Sequence, residues 1–102
     1  MEFKLYYVTY PDETEAESSA LHLLERGLIA CANLLPQMKS FYKWEGKIET
    51  SKECIQIYKI KPENSDIAVQ EIESLHPYEA PAILELDTKS MNKSYSKWLF
   101  ES

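Results

Sequence analysis

The side chains best suited to chemistry lie together in Leu75-His76-Pro77-Tyr78-Glu79-Ala80-Pro81, which holds one of the two histidines and two of the five prolines. Imidazole titrates near neutrality and is a common metal ligand. Pro77 and Pro81 fix their own φ and push the residue before each toward extended backbone. The segment is therefore stiff enough to present His76, Tyr78 and Glu79 in a set order. It is equally suited to stopping a helix and feeding a strand, the commoner duty of X-Pro steps. Cys31, Cys54 and Glu45 complete the plausible metal ligands, with thiolate and imidazole suiting copper or zinc. They form no pre-spaced set, and neither cysteine belongs to a CxxC pair, so zinc-type spacing is absent. Cys31 sits in an apolar run and reads as a small core hydrophobe. His22 lies off the main apolar face of its helix and reads as a rim residue.

Other chemistries find less support. With only Gly27 and Gly46 in the chain, a backbone phosphate cradle has no raw material. Arg26 alone does not make an anion pocket. No nucleophile-elbow pattern occurs, and no paired acid and base can be named. The reading is non-enzymatic, with no required cofactor and with Cu(II) or another divalent cation as the candidate ligand. Eleven Lys and Arg against 17 Asp and Glu give a net charge of −6, which opposes nucleic acid because that binding relies on neutralising phosphates. No apolar run approaches the roughly 20 residues that cross a bilayer. Met1-Glu2-Phe3-Lys4 lacks the charged-then-apolar order of a signal peptide. These features lead to an expectation of a cytoplasmic protein with no membrane partner and two free thiols.

The elements that must position these residues fit one domain over residues 1–102. Residues 3–10 (FKLYYVTY) read as a strand, with Phe3, Leu5 and Tyr7 on one face and Lys4, Tyr6 and Val8 on the other. Thr14 and Glu17 have capping-box spacing, Ala16, Ala20, Leu23 and Leu24 line a helical face, and Gly27 stops the helix. Residues 28–35 (LIACANLL) read as a strand buried on both faces and ended by Pro36. Alternation returns in residues 40–44 and 55–60. Of two turns between them, Glu45-Gly46 and the polar stretch Glu49-Thr50-Ser51-Lys52-Glu53, the second is preferred, because Lys47-Ile48 continues a strand pattern and Gly46 then marks a bulge. A second helix runs from Pro62 to Leu75, capped by Asn64 or Ser65, with Ala68, Ile72 and Leu75 as its stripe. A strand follows over residues 82–88, with Ala82, Leu84 and Leu86 on one face. Ser90 or Asn92 then opens a short helix carrying Met91, Tyr95, Trp98 and Leu99.

The order is β-α-β-β-α-β-α, an α+β chain. It predicts a ferredoxin-like βαββαβ sandwich with an extra C-terminal helix and a long β-hairpin arm, the helices lying on one sheet face. Tyr6, Val8, Tyr42 and Trp44 would then form an apolar patch on the other face, which the last helix covers only in part. The projecting arm and the uncovered face both point to a subunit partner.

Leu28-Ile29-Ala30-Cys31-Ala32-Asn33, Tyr42-Lys43-Trp44-Glu45-Gly46-Lys47-Ile48, Leu75-His76-Pro77-Tyr78-Glu79-Ala80-Pro81 and Tyr95-Ser96-Lys97-Trp98-Leu99, with Thr9-Tyr10-Pro11-Asp12-Glu13 before them, resemble the CutA divalent-cation tolerance family across nearly the whole chain. The resemblance implies a homotrimer, similar in architecture to the PII signalling proteins, whose arms pair with neighbouring subunits. It also implies a role in tolerance to divalent cations, chiefly copper, and no established reaction. The family's copper ligands fall on Val8, Leu75 and His76, so the resemblance implies weak or trimer-assembled copper binding centred on His76. By analogy with the PII architecture, the alternative is a regulatory or scaffold module holding a small ligand in an intersubunit cleft lined by Glu45, Lys47, Tyr78 and Glu79.

Overall fold

The computed structural model describes residues 3–89 and 91–101. Four strands and three α-helices alternate as β1 (Lys4–Tyr10), α1 (Glu13–Glu25), β2 (Cys31–Trp44), β3 (Lys47–Ile60), α2 (Ser65–Leu75), β4 (Ile83–Leu86) and α3 (Lys93–Glu101), with a 3-10 turn at Pro62–Asn64 leading into α2. The strands form one antiparallel sheet in the order β2-β3-β1-β4. This is the ferredoxin-like βαββαβ arrangement with one helix added at the end. Ser90, expected to open the last helix, lies outside the described residues, and Asn92 precedes that helix, its carbonyl accepting from the Ser96 amide at 3.0 Å.

Local chemistry sets the helix ends. Asp12 caps α1, its carboxylate accepting from the Glu15 amide at 2.9 Å, so the expected Thr14–Glu17 capping box is two residues too late: Asp12 is a stronger cap than Thr14 and leaves Thr14 inside the helix. At the other end the Gly27 amide bonds to the Leu24 carbonyl and the Leu28 amide to the Leu23 carbonyl, both at 3.0 Å. This Schellman pattern requires the left-handed φ of 69° that Gly27 adopts. Asn64 stands at the start of α2 without a side-chain cap bond. His76 is already extended, with φ −73° and ψ 136°, as the residue before Pro77 must be.

Core and open faces follow from strand alternation. Val8, Tyr10, Cys54, Gln56, Tyr58 and Ile60 are buried beneath Ala16, Leu23, Ala68 and Ile72 of the two helices. Tyr6 and Val8 therefore belong to the core and not to the uncovered patch where they were expected. The uncovered face carries the opposite set: Leu5 beside Leu86, Tyr7 between Ile57 and Leu84, and Leu35 beside Ile55. The assignment was inverted because β1 is aromatic on both faces and its tyrosines carry polar tips that either side can accept. Leu24 and Leu75, assigned to the apolar stripes, are largely exposed, since each stands at the end of its helix.

Two further expectations about the hairpin are corrected. Residues 28–35 are not a strand buried on both faces; β2 starts at Cys31, lies at the sheet edge and continues past Pro36. Proline is tolerated there because an edge strand needs no outward N–H. The register slips by one residue between Leu35 and Met38, with Gln37 at φ 59°, which is a β-bulge. Cys31 is consequently half-buried on the uncovered face, beside Lys59, rather than in the core. The hairpin turns at Glu45-Gly46 and not in the polar stretch 49–53. Trp44 pairs with Lys47, and the two intervening residues have φ of 51° and 79°, the type I′ signs that match strand twist. Both arms thus run 14 residues, and the molecule measures 47 × 27 × 22 Å.

Candidate functional site

β1 and β3 part company at the Tyr10–Cys54 pair. Beyond it the hairpin runs on without β1, and the loop from His76 to Pro81 lies across the gap. His76 is 8% exposed. Its Nε2 lies 2.6 Å from the Thr9 carbonyl oxygen, and its Nδ1 accepts the Tyr78 backbone N–H at 3.1 Å. A carbonyl only accepts and a backbone N–H only donates, so the ring is the neutral Nε2–H tautomer with its lone pair occupied. The ring stacks on Tyr10 with centroids 4.5 Å apart and meets Tyr78 at 4.9 Å.

Tyr78 carries the arrangement outward. Its hydroxyl donates to Glu53 Oε2 at 2.7 Å, while Ser40 donates to Glu53 Oε1 at 2.6 Å. One carboxylate thus joins the loop to both strands of the hairpin. Desolvation, followed by the adjacent Glu53 charge, pushes the Tyr78 phenol well above its ordinary range. Burial likewise raises the Cys54 thiol, helped by the carboxylates of Glu13, Asp12 and Glu53. A thiol held protonated is a poor nucleophile and a poor metal ligand.

Behind the His76 ring is a buried polar network. Tyr10 and Tyr58 share a hydroxyl–hydroxyl bond of 2.6 Å, and Gln56 Nε2 donates to the Tyr58 hydroxyl and to the Ala16 carbonyl, both at 2.7 Å. All three side chains are buried. Desolvation raises both phenols, and for Tyr58 the adjacent Tyr10 adds to it.

The other candidate residues do not join this group within one chain. Cys31 stands opposite Lys59, five residues along β3 from Cys54 and so roughly 17 Å away by strand rise. Its thiol lies 3.9 Å from Asn33 Oδ1. Glu45 and Lys47 are at the hairpin tip, and Lys47 is six residues, roughly 20 Å, from Glu53. Glu79 is exposed in the loop. His22 faces α2, its Nε2 3.5 Å from Glu71 Oε2 without a hydrogen bond, and Arg26 pairs with the same carboxylate. Among the described residues no group of three or more His, Cys, Asp and Glu side chains is arranged to hold a metal ion. A metal centre on His76 therefore does not fit the chain as folded.

Thr9, Tyr10, Ser40 and Glu53 were missed as members of this group. Glu53 fell in the stretch assigned to a turn, and Thr9 acts only through its carbonyl, which leaves no trace in residue type. Tyr10 had a usable signal, since it lies in the Thr9-Tyr10-Pro11-Asp12-Glu13 motif.

The family model described as CutA1 divalent ion tolerance protein matches residues 4–102. The divalent-cation tolerance protein CutA of Pyrococcus horikoshii is 43% identical over 97 residues, covering 95% of this chain and 94% of its own. The crystal structure of divalent ion tolerance protein CutA1 from Ehrlichia chaffeensis superposes with a TM-score of 0.93 at 34% identity, covering 98% of this chain and 94% of that one. The protein of Archaeoglobus fulgidus named a periplasmic divalent cation tolerance protein CutA superposes with a TM-score of 0.90 at 36% identity, covering 98% and 97%.

The buried phenols make stability fall in alkali. Unfolded tyrosines ionise near pH 10, and Tyr10 and Tyr58 do so higher when folded. The native state then binds more protons than the unfolded one above about pH 10, so stability is whole below that pH and declines as pH rises. Urea midpoints measured from pH 8 to 11 are expected to drop less steeply for Tyr58→Phe than for the parent. At neutral pH the same variant is expected to cost about 1–3 kcal/mol, because Gln56 and Tyr10 lose a buried partner. Equal slopes for the two proteins would refute the assignment.

Proposed function

Because the chain belongs to the CutA1 divalent ion tolerance family, we propose that it works as a homotrimer in tolerance to divalent cations, copper among them, without a catalytic step of its own. The observation that carries the assembly is the uncovered half of the sheet. Leu84 is 53% exposed and Leu86 41%, on the face where Leu5, Tyr7, Ile55 and Ile57 also lie. α3 also reaches that face, where Lys59 donates to the Tyr95 hydroxyl at 2.9 Å.

The arm supports the same reading. Phe41, Tyr42, Trp44 and Ile48 are all exposed on it. Cross-strand pairs contribute only about 0.2–1 kcal/mol each, and an isolated two-stranded hairpin is marginal in water. Fully burying one large apolar side chain contributes about 1.5–3 kcal/mol, so cover from neighbouring copies outweighs the arm's own pairing.

The cation role is drawn from the relatives, which are named for divalent-cation tolerance, and a net charge of −6 favours cations near the surface. Any weak copper binding in this reading belongs to the assembled surfaces. The second reading, a PII-like regulatory module, has one geometric point in its favour. Glu45 and Lys47 at the tip can meet Tyr78 and Glu79 only across two copies, which is where an intersubunit ligand would sit. Among the described residues no helix is long and apolar enough to cross a membrane. The proposed location is cytoplasmic, in keeping with the free thiols of Cys31 and Cys54.

Light scattering on the dilute protein is expected to give about three times the chain mass of 11.9 kDa. Leu84→Asp is expected to shift it toward the monomer, because assembly would bury an unpaired charge; a monomeric parent would end the assembly claim. For the cation half, cells deprived of this protein are expected to grow more poorly in copper(II) and to recover when the chain is restored. Unchanged copper sensitivity would contradict it.

A further inference from the structure

We infer that His76 is not a metal ligand in this protein but a fastener, tying the loop between α2 and β4 to the end of β1 and, through Tyr78, to the root of the hairpin arm. With His76 so engaged, the cation function resides elsewhere, whether or not the chain assembles.

A neutral imidazole has one lone pair. In His76 that pair, on Nδ1, accepts the Tyr78 N–H at 3.1 Å, and the opposite nitrogen donates to the Thr9 carbonyl at 2.6 Å. Binding a cation at Nδ1 would strip the Tyr78 amide of its partner. Binding at Nε2 would displace a proton and leave the Thr9 carbonyl without its donor. Each change leaves a poorly hydrated backbone group unpaired, which is the costly direction. The ring is 8% exposed, stacked on Tyr10 and tilted against Tyr78, so its in-plane nitrogens meet their backbone partners with little room for a hydrated cation to enter.

The surrounding groups are committed as well. Cys54 is held as the thiol by burial and by the carboxylates of Glu13, Asp12 and Glu53. Glu53 itself accepts from Ser40 and Tyr78. The positive role follows from where this chain of bonds runs. Thr9, His76, Tyr78, Glu53 and Ser40 form a continuous path from β1 through the loop to both strands of the hairpin. It crosses at the Tyr10–Cys54 pair, the last place where β1 supports β3. Pro77 holds His76 extended at the end of α2, so the ring is placed by backbone as well as by its partners. His76 is a positioning residue for the arm.

The decisive probe is zinc, which is diamagnetic, added at one equivalent to the full-length protein labelled with ¹⁵N at histidine. Long-range proton–nitrogen spectra are expected to show His76 with a protonated Nε2 and a bare Nδ1, unchanged by zinc, with His22 as the second imidazole for comparison. A zinc-dependent shift of either His76 nitrogen would overturn the inference. A second measurement compares His76→Gln and Tyr78→Phe with the parent. Amide exchange across residues 51–54 is expected to quicken by about fivefold in both, the effect of losing one hydrogen bond, with zinc affinity measured by calorimetry unchanged within about twofold. Parent-like exchange in a folded His76→Gln, or loss of its zinc binding, would count against the fastener.

Discussion

Two helices pack on one face of a four-stranded sheet, and period-2 alternation then decides nearly everything else. Every second residue of β1 and of the paired part of β3 enters the core beneath α1 and α2, and the residues between face away from those helices. Those outward residues include Leu5, Tyr7, Ile55 and Ile57, with Leu84 and Leu86 beside them. A sheet with apolar side chains on both faces, two helices on one and only the short α3 against the other, is unfinished in water. The part of the hairpin beyond the Tyr10–Cys54 pair carries the same imbalance, with Phe41, Tyr42, Trp44 and Ile48 exposed. The self-association proposed above would answer both at once and would let a chain this small keep so long a hairpin.

The polar groups of the interior meet a different demand. Gln56 on β3 would be expensive to bury alone, yet it donates to Tyr58 and to the Ala16 carbonyl, and Tyr58 is bonded to Tyr10. The Tyr10 ring in turn supports His76. Core network and loop clasp thus share one residue, and the geometry of the loop depends on a tyrosine whose hydroxyl is fixed from behind. A reactive thiol or an open metal site would need looser, wetter surroundings than these.

Much of the fold was legible because it rests on strong local signals: Gly27 after a helix, Pro77 before an extended segment, and β-rich runs at 4–10 and 55–60. The hairpin turn was not. Polar residues 49–53 look like a loop, but on an arm with no core beneath it strand residues need not alternate in polarity, so pattern loses its meaning there. The backbone signs at Glu45 and Gly46 decide the turn instead. Strand faces were inverted for a related reason, since Tyr6 and Tyr10 bury their rings while their hydroxyls find partners in Ser65 and Tyr58. At the candidate site the histidine was readable and its role was not. His76 is engaged by a carbonyl 67 residues away in sequence and by the Tyr78 backbone amide, groups every residue type possesses. Residue type alone leaves such backbone partners invisible.

The account stands or falls on whether the outward sheet face and the arm are covered by other copies of this chain. Hydrogen–deuterium exchange of residues 38–53, compared with β1 and followed on dilution, tests this directly. Cover by neighbours predicts slow exchange along the arm, approaching that of β1, and faster exchange once dilution separates the copies. Exchange within seconds at every concentration, with β1 still protected, would show an arm that stands alone and would contradict it.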